Sequence, residues 1–309
     1  MRVLVTGGAG FIGSHVAEAL LRRGHDVAVL DDLSTGARSN VPEGAAFVEG
    51  DVRNATLVER VLRDHRPEVV CHQAAQTSVS VSVREPVRDA EINVLGSLRL
   101  LEAAATAGVG RFVFASTGGA IYGEVPDGQR AGLDFPTRPT SPYGCAKRAV
   151  EHYLDAYRHE HGLRSVALRY ANVYGPRQDP HGEAGVVAIF CRRLLTGEPL
   201  QINGRRREGD EGCVRDYVFV DDVVRANVAA VEGDIRAEVI NVGTGTGTTT
   251  LELARRLGAA AGRAPEIRHA PRRPGDLERS VLEPATSDAV TIPLAEGLER
   301  TLAWFKSGG

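Results

Sequence analysis

The sequence predicts an α/β fold: a doubly wound parallel sheet covered by helices on both faces, with a smaller, partly interleaved α/β lobe. Two observations carry this. Residues 1–30 form a complete βαβ pattern, with an apolar strand Val3–Val5, a glycine-rich turn, an amphipathic helix Phe11–Arg23 and a second strand Val27–Leu30. The apolar runs Val69–Cys71, Phe112–Ala115 and Val166–Leu168 then alternate with helical stretches at Ala55–Asp64, Val87–Ala107 and Tyr143–His161. After Arg169 the rhythm loosens into a Gly/Pro-rich stretch, a helix near Val186–Leu195, an Arg-rich loop Asn203–Gly212 and a final amphipathic helix near Leu294–Phe305. The sheet domain is therefore expected at 1–170, with 217–245 returning to it. The second lobe is expected at 171–216 and 246–309, with a ligand cleft where it meets the carboxyl ends of the strands.

The composition, 42% hydrophobic and 25% charged over 309 residues, is that of a globular chain with a core. A net charge of -3 gives no reason to expect a nucleic acid or an anionic membrane as partner. Cys71, Cys145, Cys191 and Cys213 show neither C-x-x-C nor zinc-type spacing, so no metal and a reduced, cytoplasmic location are expected. No apolar run approaches the roughly 18 residues of a membrane span. The 37 basic residues divide into 35 arginines and two lysines, Lys147 and Lys306.

Thr6–Gly13 reads TGGAGFIG, with glycines at Gly7, Gly10 and Gly13 between a strand and a helix that opens with Phe11 and Ile12. In that context the backbone can approach a pyrophosphate and the helix N-terminus can stabilise its charge. Asp31 ends the next strand, where a carboxylate can bind a ribose 2′-hydroxyl. Asp32 beside it would repel a 2′-phosphate, so NAD is favoured over NADP. Tyr143 and Lys147 stand four apart, on one face of the helix that begins after Pro142. This spacing can lower the phenol toward working pH, so that it takes a proton from a substrate hydroxyl while hydride leaves the carbon. With seven tyrosines and only two lysines, chance makes such a pair rarely.

Together these motifs resemble the short-chain dehydrogenase/reductase superfamily, in its extended branch of NAD-dependent nucleotide-sugar epimerases and dehydratases. The resemblance covers nearly the whole chain and implies a Rossmann-type sheet, a UDP-sugar substrate and a homodimer paired through the helices holding Asn93 and Tyr143. It places Asp51 and Val52 at the adenine, and Gln73, Ala74, Ala75 and Gln76 along the cofactor. Asn93 would brace the active site, and Ser116 and Tyr170 would flank the nicotinamide. Asn172, Arg215, Arg273 and Asp276 fall in the segments that clamp the substrate's diphosphate and ribose, where arginine suits bidentate phosphate binding.

The family's third catalytic group is a Ser or Thr after strand five; Thr117 is the first choice for the hydroxyl that bonds the sugar O4, and Ser116 the next. Related 4,6-dehydratases carry an Asp-Glu pair just beyond, where this chain has Gly118, Gly119 and Ala120. The expected reaction is therefore C4 epimerisation through a 4-keto sugar, most similar to that of bacterial UDP-glucose 4-epimerases. A dehydratase and a non-catalytic NAD-binding regulator are the alternatives. Arg192, in Cys191-Arg192-Arg193, raises the further expectation of a C6 carboxylate, as in UDP-glucuronate.

Overall fold

The computed structural model describes residues 1–181, 185–273, 275–285 and 291–308; Pro274, inside the expected ribose clamp, lies outside them. The strands are β1 (Arg2–Thr6), β2 (Asp26–Asp31), β3 (Ala46–Glu49), β4 (Val69–His72), β5 (Arg111–Thr117), β6 (Arg164–Tyr170), β7 (Asn172–Tyr174), β8 (Leu200–Asn203), β9 (Val214–Phe219), β10 (Val239–Val242), β11 (Gly247–Thr249), β12 (Ile267–Ala270) and β13 (Arg279–Ser280). Seven of them make one sheet in the order β10-β6-β5-β4-β1-β2-β3. The β3–β2, β2–β1, β1–β4 and β4–β5 pairs are parallel. The order runs outward from β1 in both directions, which makes the carboxyl end of β1 a topological switch point of a Rossmann-type sheet.

β4 is buried along its whole length, which explains its uninterrupted apolar run. Leu4, Leu30, Val70, Phe112 and Phe114 from the sheet share one core with Val58, Leu101 and Val150 from the helices Ala55–His65, Ser97–Thr106 and Pro142–His161. The last helix is delimited by its own sequence. Ser141 accepts from the Gly144 N–H, Pro142 opens the first turn, and Gly162 ends it at φ 65.

The chain divides into two compact units, 1–117, 141–169 and 223–240 in one, and 118–140, 170–222 and 241–309 in the other. Residues 118–140 join the second because their backbone pairs there: Val125 N–H donates to Arg279 O and Ala131 N–H to Val281 O. The second unit holds β11-β9-β13, with β7 on β9, and the β8–β12 pair. The sequence rhythm shows little of this, because these strands are short and half polar. It also misses the helices Val220–Glu232 and Thr250–Ala260.

One expected helix differs. The stretch read as Val87–Ala107 is Pro86–Ala90, then a π-helical turn Glu91–Gly96, then Ser97–Thr106. Apolar periodicity does not reveal a widened turn, yet such turns gather at functional sites. This one carries Asn93.

Candidate active site

The three spaced glycines do different work. Gly7 sits at φ +69, and a Cβ there would lie 2.6 Å from Ala74 N. A Cβ on Gly13 would lie 2.1 Å from Gly7 O, so this glycine lets helix and turn close on each other. Around Gly10 only Gly7 O lies near, at 3.3 Å. The helix Phe11–Arg22 that follows has no side-chain cap and no acid in its first turn, so no side chain of its own competes with an anion for that N-terminus. Asp31 is buried. Its Oδ2 accepts from Ala9 N–H at 2.9 Å and its Oδ1 from Leu33 N–H at 2.8 Å, so it also fixes the glycine turn. Asp32 is exposed and turns back on Ser34. Val52 is buried, while Asp51 is bonded to the Arg53 guanidinium, which holds its carboxyl below the usual carboxylate range.

Behind this turn runs a directional hydrogen-bond chain. Ala74 N–H donates to Thr6 Oγ1, which lies 2.6 Å from His72 Nδ1; His72 Nε2 lies 2.9 Å from Ser97 Oγ, which donates to Asn93 O at 2.6 Å. Because the Ser97 proton goes to Asn93 O, the His72 proton sits on Nε2 and Thr6 donates to Nδ1. Burial, and secondarily the charge of Lys147, hold His72 neutral, its pKa pulled down to about 3. Asn93 clamps the backbone of Gln76: its Oδ1 accepts from Gln76 N–H at 3.0 Å and its Nδ2 donates to Gln76 O at 2.9 Å. The Gln73 side chain, expected at the cofactor, donates instead to Asn227 Oδ1 and Cys71 Sγ.

Tyr143, Thr117 and Lys147 come together where β5 meets the helix Pro142–His161. The Thr117 side chain lies close enough to the Tyr143 phenol to favour its ionised form. Lys147 is 3% exposed; its Nζ donates to Ala115 O at 2.9 Å and lies 5.9 Å from the Tyr143 ring centroid. Burial draws Lys147 down to about 8, against the opposing pull of Asp89 and Glu151. Burial also pushes Tyr143 well above the ordinary phenol range, the Asp89 charge adding to it and the Thr117 side chain working against it. Burial is thus the dominant influence on the Tyr143 phenol.

Ser116, the alternative hydroxyl, is held elsewhere. Its Oγ donates at 2.6 Å to Glu151 Oε1, which also accepts from Arg169 Nε at 2.9 Å. Glu151 Oε2 accepts from Arg169 Nη2 at 2.7 Å and Arg148 Nη1 at 2.8 Å. Sequence reasoning passed over Glu151 and Asp89, although Glu151 lies one turn past Lys147 and Asp89 one turn before Asn93.

The second unit holds the other expected residues. Tyr170 ends β6 and is buried, and Asn172 opens β7 in register with Tyr217. Arg215 donates to Val214 O and to Leu277 O at 2.7 Å. With the Asn203 amide turned so that its oxygen faces Arg273, that oxygen accepts from Arg273 Nε at 2.8 Å, and Asp276 N–H donates to Arg273 O. Arg192 lies on the helix Val186–Thr196 with its Nε buried and without a hydrogen-bond partner. The Arg-rich loop is neutralised locally: Arg205 reaches Asp127 at 2.6 Å, Arg206 reaches Glu278 at 2.9 Å, and Asp210 accepts the N–H groups of Arg205, Arg206, Arg207 and Gly212. A Cβ on Gly118 would lie 2.4 Å from Leu282 Cδ1, so a larger residue at the position that follows Thr117 would require the Leu282 side chain to move.

Residues 3–243 match the model of the NAD dependent epimerase/dehydratase family. The chain is 45% identical over 317 residues to the UDP-glucose 4-epimerase of Mycolicibacterium smegmatis, covering 99% of each. It is also similar to the solved UDP-glucose 4-epimerase of Thermus thermophilus in complex with NAD, with TM-score 0.95 and 55% identity over the whole of both chains. A third likeness is the Thermotoga maritima UDP-glucose 4-epimerase with UDP-glucose, with TM-score 0.92 and 46% identity over 100% of this chain and 99% of that one.

Proposed function

Because the chain belongs to the NAD-dependent epimerase/dehydratase family, we propose that it is a UDP-hexose 4-epimerase of the UDP-glucose/UDP-galactose type, working through a transient 4-keto sugar. The observation that carries this reading is the Thr117–Tyr143–Lys147 group followed by Gly118, Gly119 and Ala120, which supply no acid of the kind a dehydratase uses to expel the 6-hydroxyl, with Leu282 packed over Gly118. The Gly7–Gly13 turn, open at Gly10 and backed by Asp31, fits NAD. Asp51, Val52, Gly7, Phe11, Ile12, Ala74, Ala75, Gln76, Asn93 and Tyr170 complete the group proposed to hold it.

Bound NAD supplies the acceptor and donor of the C4 hydride, and a positive ring that favours the phenolate. Tyr143 takes the 4-hydroxyl proton and later returns it. Thr117 orients the sugar O4 and stabilises the phenolate through the same hydroxyl. Lys147, tethered to Ala115 O, keeps positive charge beside Tyr143 and binds the cofactor's ribose. Asn172, Arg215, Arg273 and Asp276 are proposed to hold the uridine diphosphate, which fixes the nucleotide and leaves the hexose free to turn.

The test is incubation of purified protein with UDP-glucose, UDP-N-acetylglucosamine and UDP-glucuronate, followed by identification of C4 epimers. Epimerised UDP-glucose is expected, and no turnover of any of the three overturns the reading. The UDP-glucuronate variant rests on Arg192 and its unpartnered Nε. Arg192→Ala assayed on both sugars decides that point, since equal losses would remove it. We also read the protein as a cytoplasmic homodimer. Its free cysteines suit a reduced compartment, and among the described residues no helix is long and apolar enough to cross a membrane.

A further inference from the structure

We propose that Asp89 is the counter-ion of Lys147: a buried carboxylate whose charge balances the ammonium in the working site. The proposal deepens the reading above and rests on it for the role of Lys147. Asp89 is 1% exposed, on the helix Pro86–Ala90, which packs against the helix Pro142–His161. Its Oδ1 accepts from Gln76 Nε2 at 2.7 Å and Asn93 Nδ2 at 2.9 Å, both neutral donors. Its Oδ2 is buried without a hydrogen-bond partner. A carboxylate so placed is unfavourable unless a nearby positive charge offsets its desolvation.

Lys147 is the other half of that balance. One of its three N–H groups goes to Ala115 O, a neutral acceptor. Four titratable groups interact with it: Tyr143, whose ring centroid is 5.9 Å away, and, electrostatically, Glu151 from its own helix, His72 from β4 and Asp89, whose carboxyl burial raises and Gln76, Asn93 and the Lys147 charge draw back down. His72 is neutral, and Tyr143 is neutral until it has taken up its role. Glu151 already faces two guanidinium groups, Arg169 and Arg148. Asp89 alone of the four brings negative charge that no arginine has claimed, and it is the larger of the two anionic influences on Lys147.

The lysine-poor composition makes a direct test practicable. In protein labelled with 13Cε-lysine only two side chains report, Lys147 and Lys306, and the exposed Lys306 serves as an internal reference. With the cofactor-loaded protein and no substrate, Asp89→Asn is expected to lower the Lys147 titration midpoint by about one pH unit or more, as loss of a neighbouring opposite charge does, while Lys306 stays put. The high-pH limb of kcat for UDP-glucose should move by the same interval. Asparagine keeps the acceptor for Gln76 and Asn93; if that variant does not fold, Asp89→Ser reads the same midpoint. A Lys147 midpoint that holds or rises in the variant overturns the proposal. A wild type that epimerises nothing, with a midpoint that falls in the variant, overturns the proposed function and leaves the pairing standing.

Discussion

Ser116 and Thr117 are neighbours on one strand end, and their hydroxyls face different partners. Ser116 is bound to a carboxylate that two arginines also share; Thr117 meets the phenol. Thr117→Val and Tyr143→Phe should therefore each lower kcat by roughly a hundredfold or more, the usual worth of a positioned proton-transfer group. Ser116→Ala should act mainly on stability, which thermal unfolding of the two single variants would separate. Lys147→Arg should be nearly as damaging to turnover as Tyr143→Phe. The ammonium lies 4.8 Å from the Phe114 ring centroid and donates to Ala115 O as a compact point charge, a role that a planar guanidinium fork does not reproduce. Circular dichroism of the variant should match the wild type, while the assay reads the loss.

Two elements share the task of holding the site. The helix Pro142–His161 grips consecutive residues of β5, with Lys147 on Ala115 O and Glu151 on Ser116 Oγ, and Arg169 of β6 closes the second grip. Glu151→Gln removes the counter-charge of the buried Arg169 guanidinium and should destabilise the protein by about 3–5 kcal/mol, measured by chemical denaturation. On the other side of β4 the His72 chain ties β1 to the turn that bears Asn93. Its pH dependence has a definite sign. His72 is folded in its neutral form with a pKa of about 3, below the ordinary value near 6.5. The stability this contributes is complete above about pH 6.5 and is lost at about 1.4 kcal/mol per pH unit as pH falls toward the folded value. Denaturation midpoints between pH 7 and 4 should show that slope, and His72→Asn should flatten it. The Tyr143–Lys147 pair and the glycine turn were legible in the sequence because local spacing defines them. Asp89, Glu151 and the His72 chain were not, because each acts through partners on other strands and helices. The widened turn at Asn93 was hidden for a third reason: inserting a residue into a helix leaves the apolar pattern on either side intact.

At the scale of the molecule, the homodimer proposed above would use exposed apolar and aromatic side chains. Val87, Leu95 and Tyr153 are 71%, 46% and 43% exposed and lie within the two helical segments expected to pair with a second copy. Val87→Glu should shift the sedimentation coefficient from dimer to monomer, and a monomeric wild type would remove the proposal. The partition of residues is equally definite. Thr117, Tyr143, Lys147, Glu151 and Asp89 all belong to one compact unit, and Asn172, Arg192, Arg215 and Arg273 all belong to the other. Yet the chain changes unit after Thr117, Thr140, Arg169, Asp222 and Ile240. A single crossover with a relative therefore divides at least one unit between the two parents wherever it falls, and no single crossover exchanges one unit whole while leaving the other untouched. The same threading means that no single proteolytic nick frees either unit as a continuous peptide.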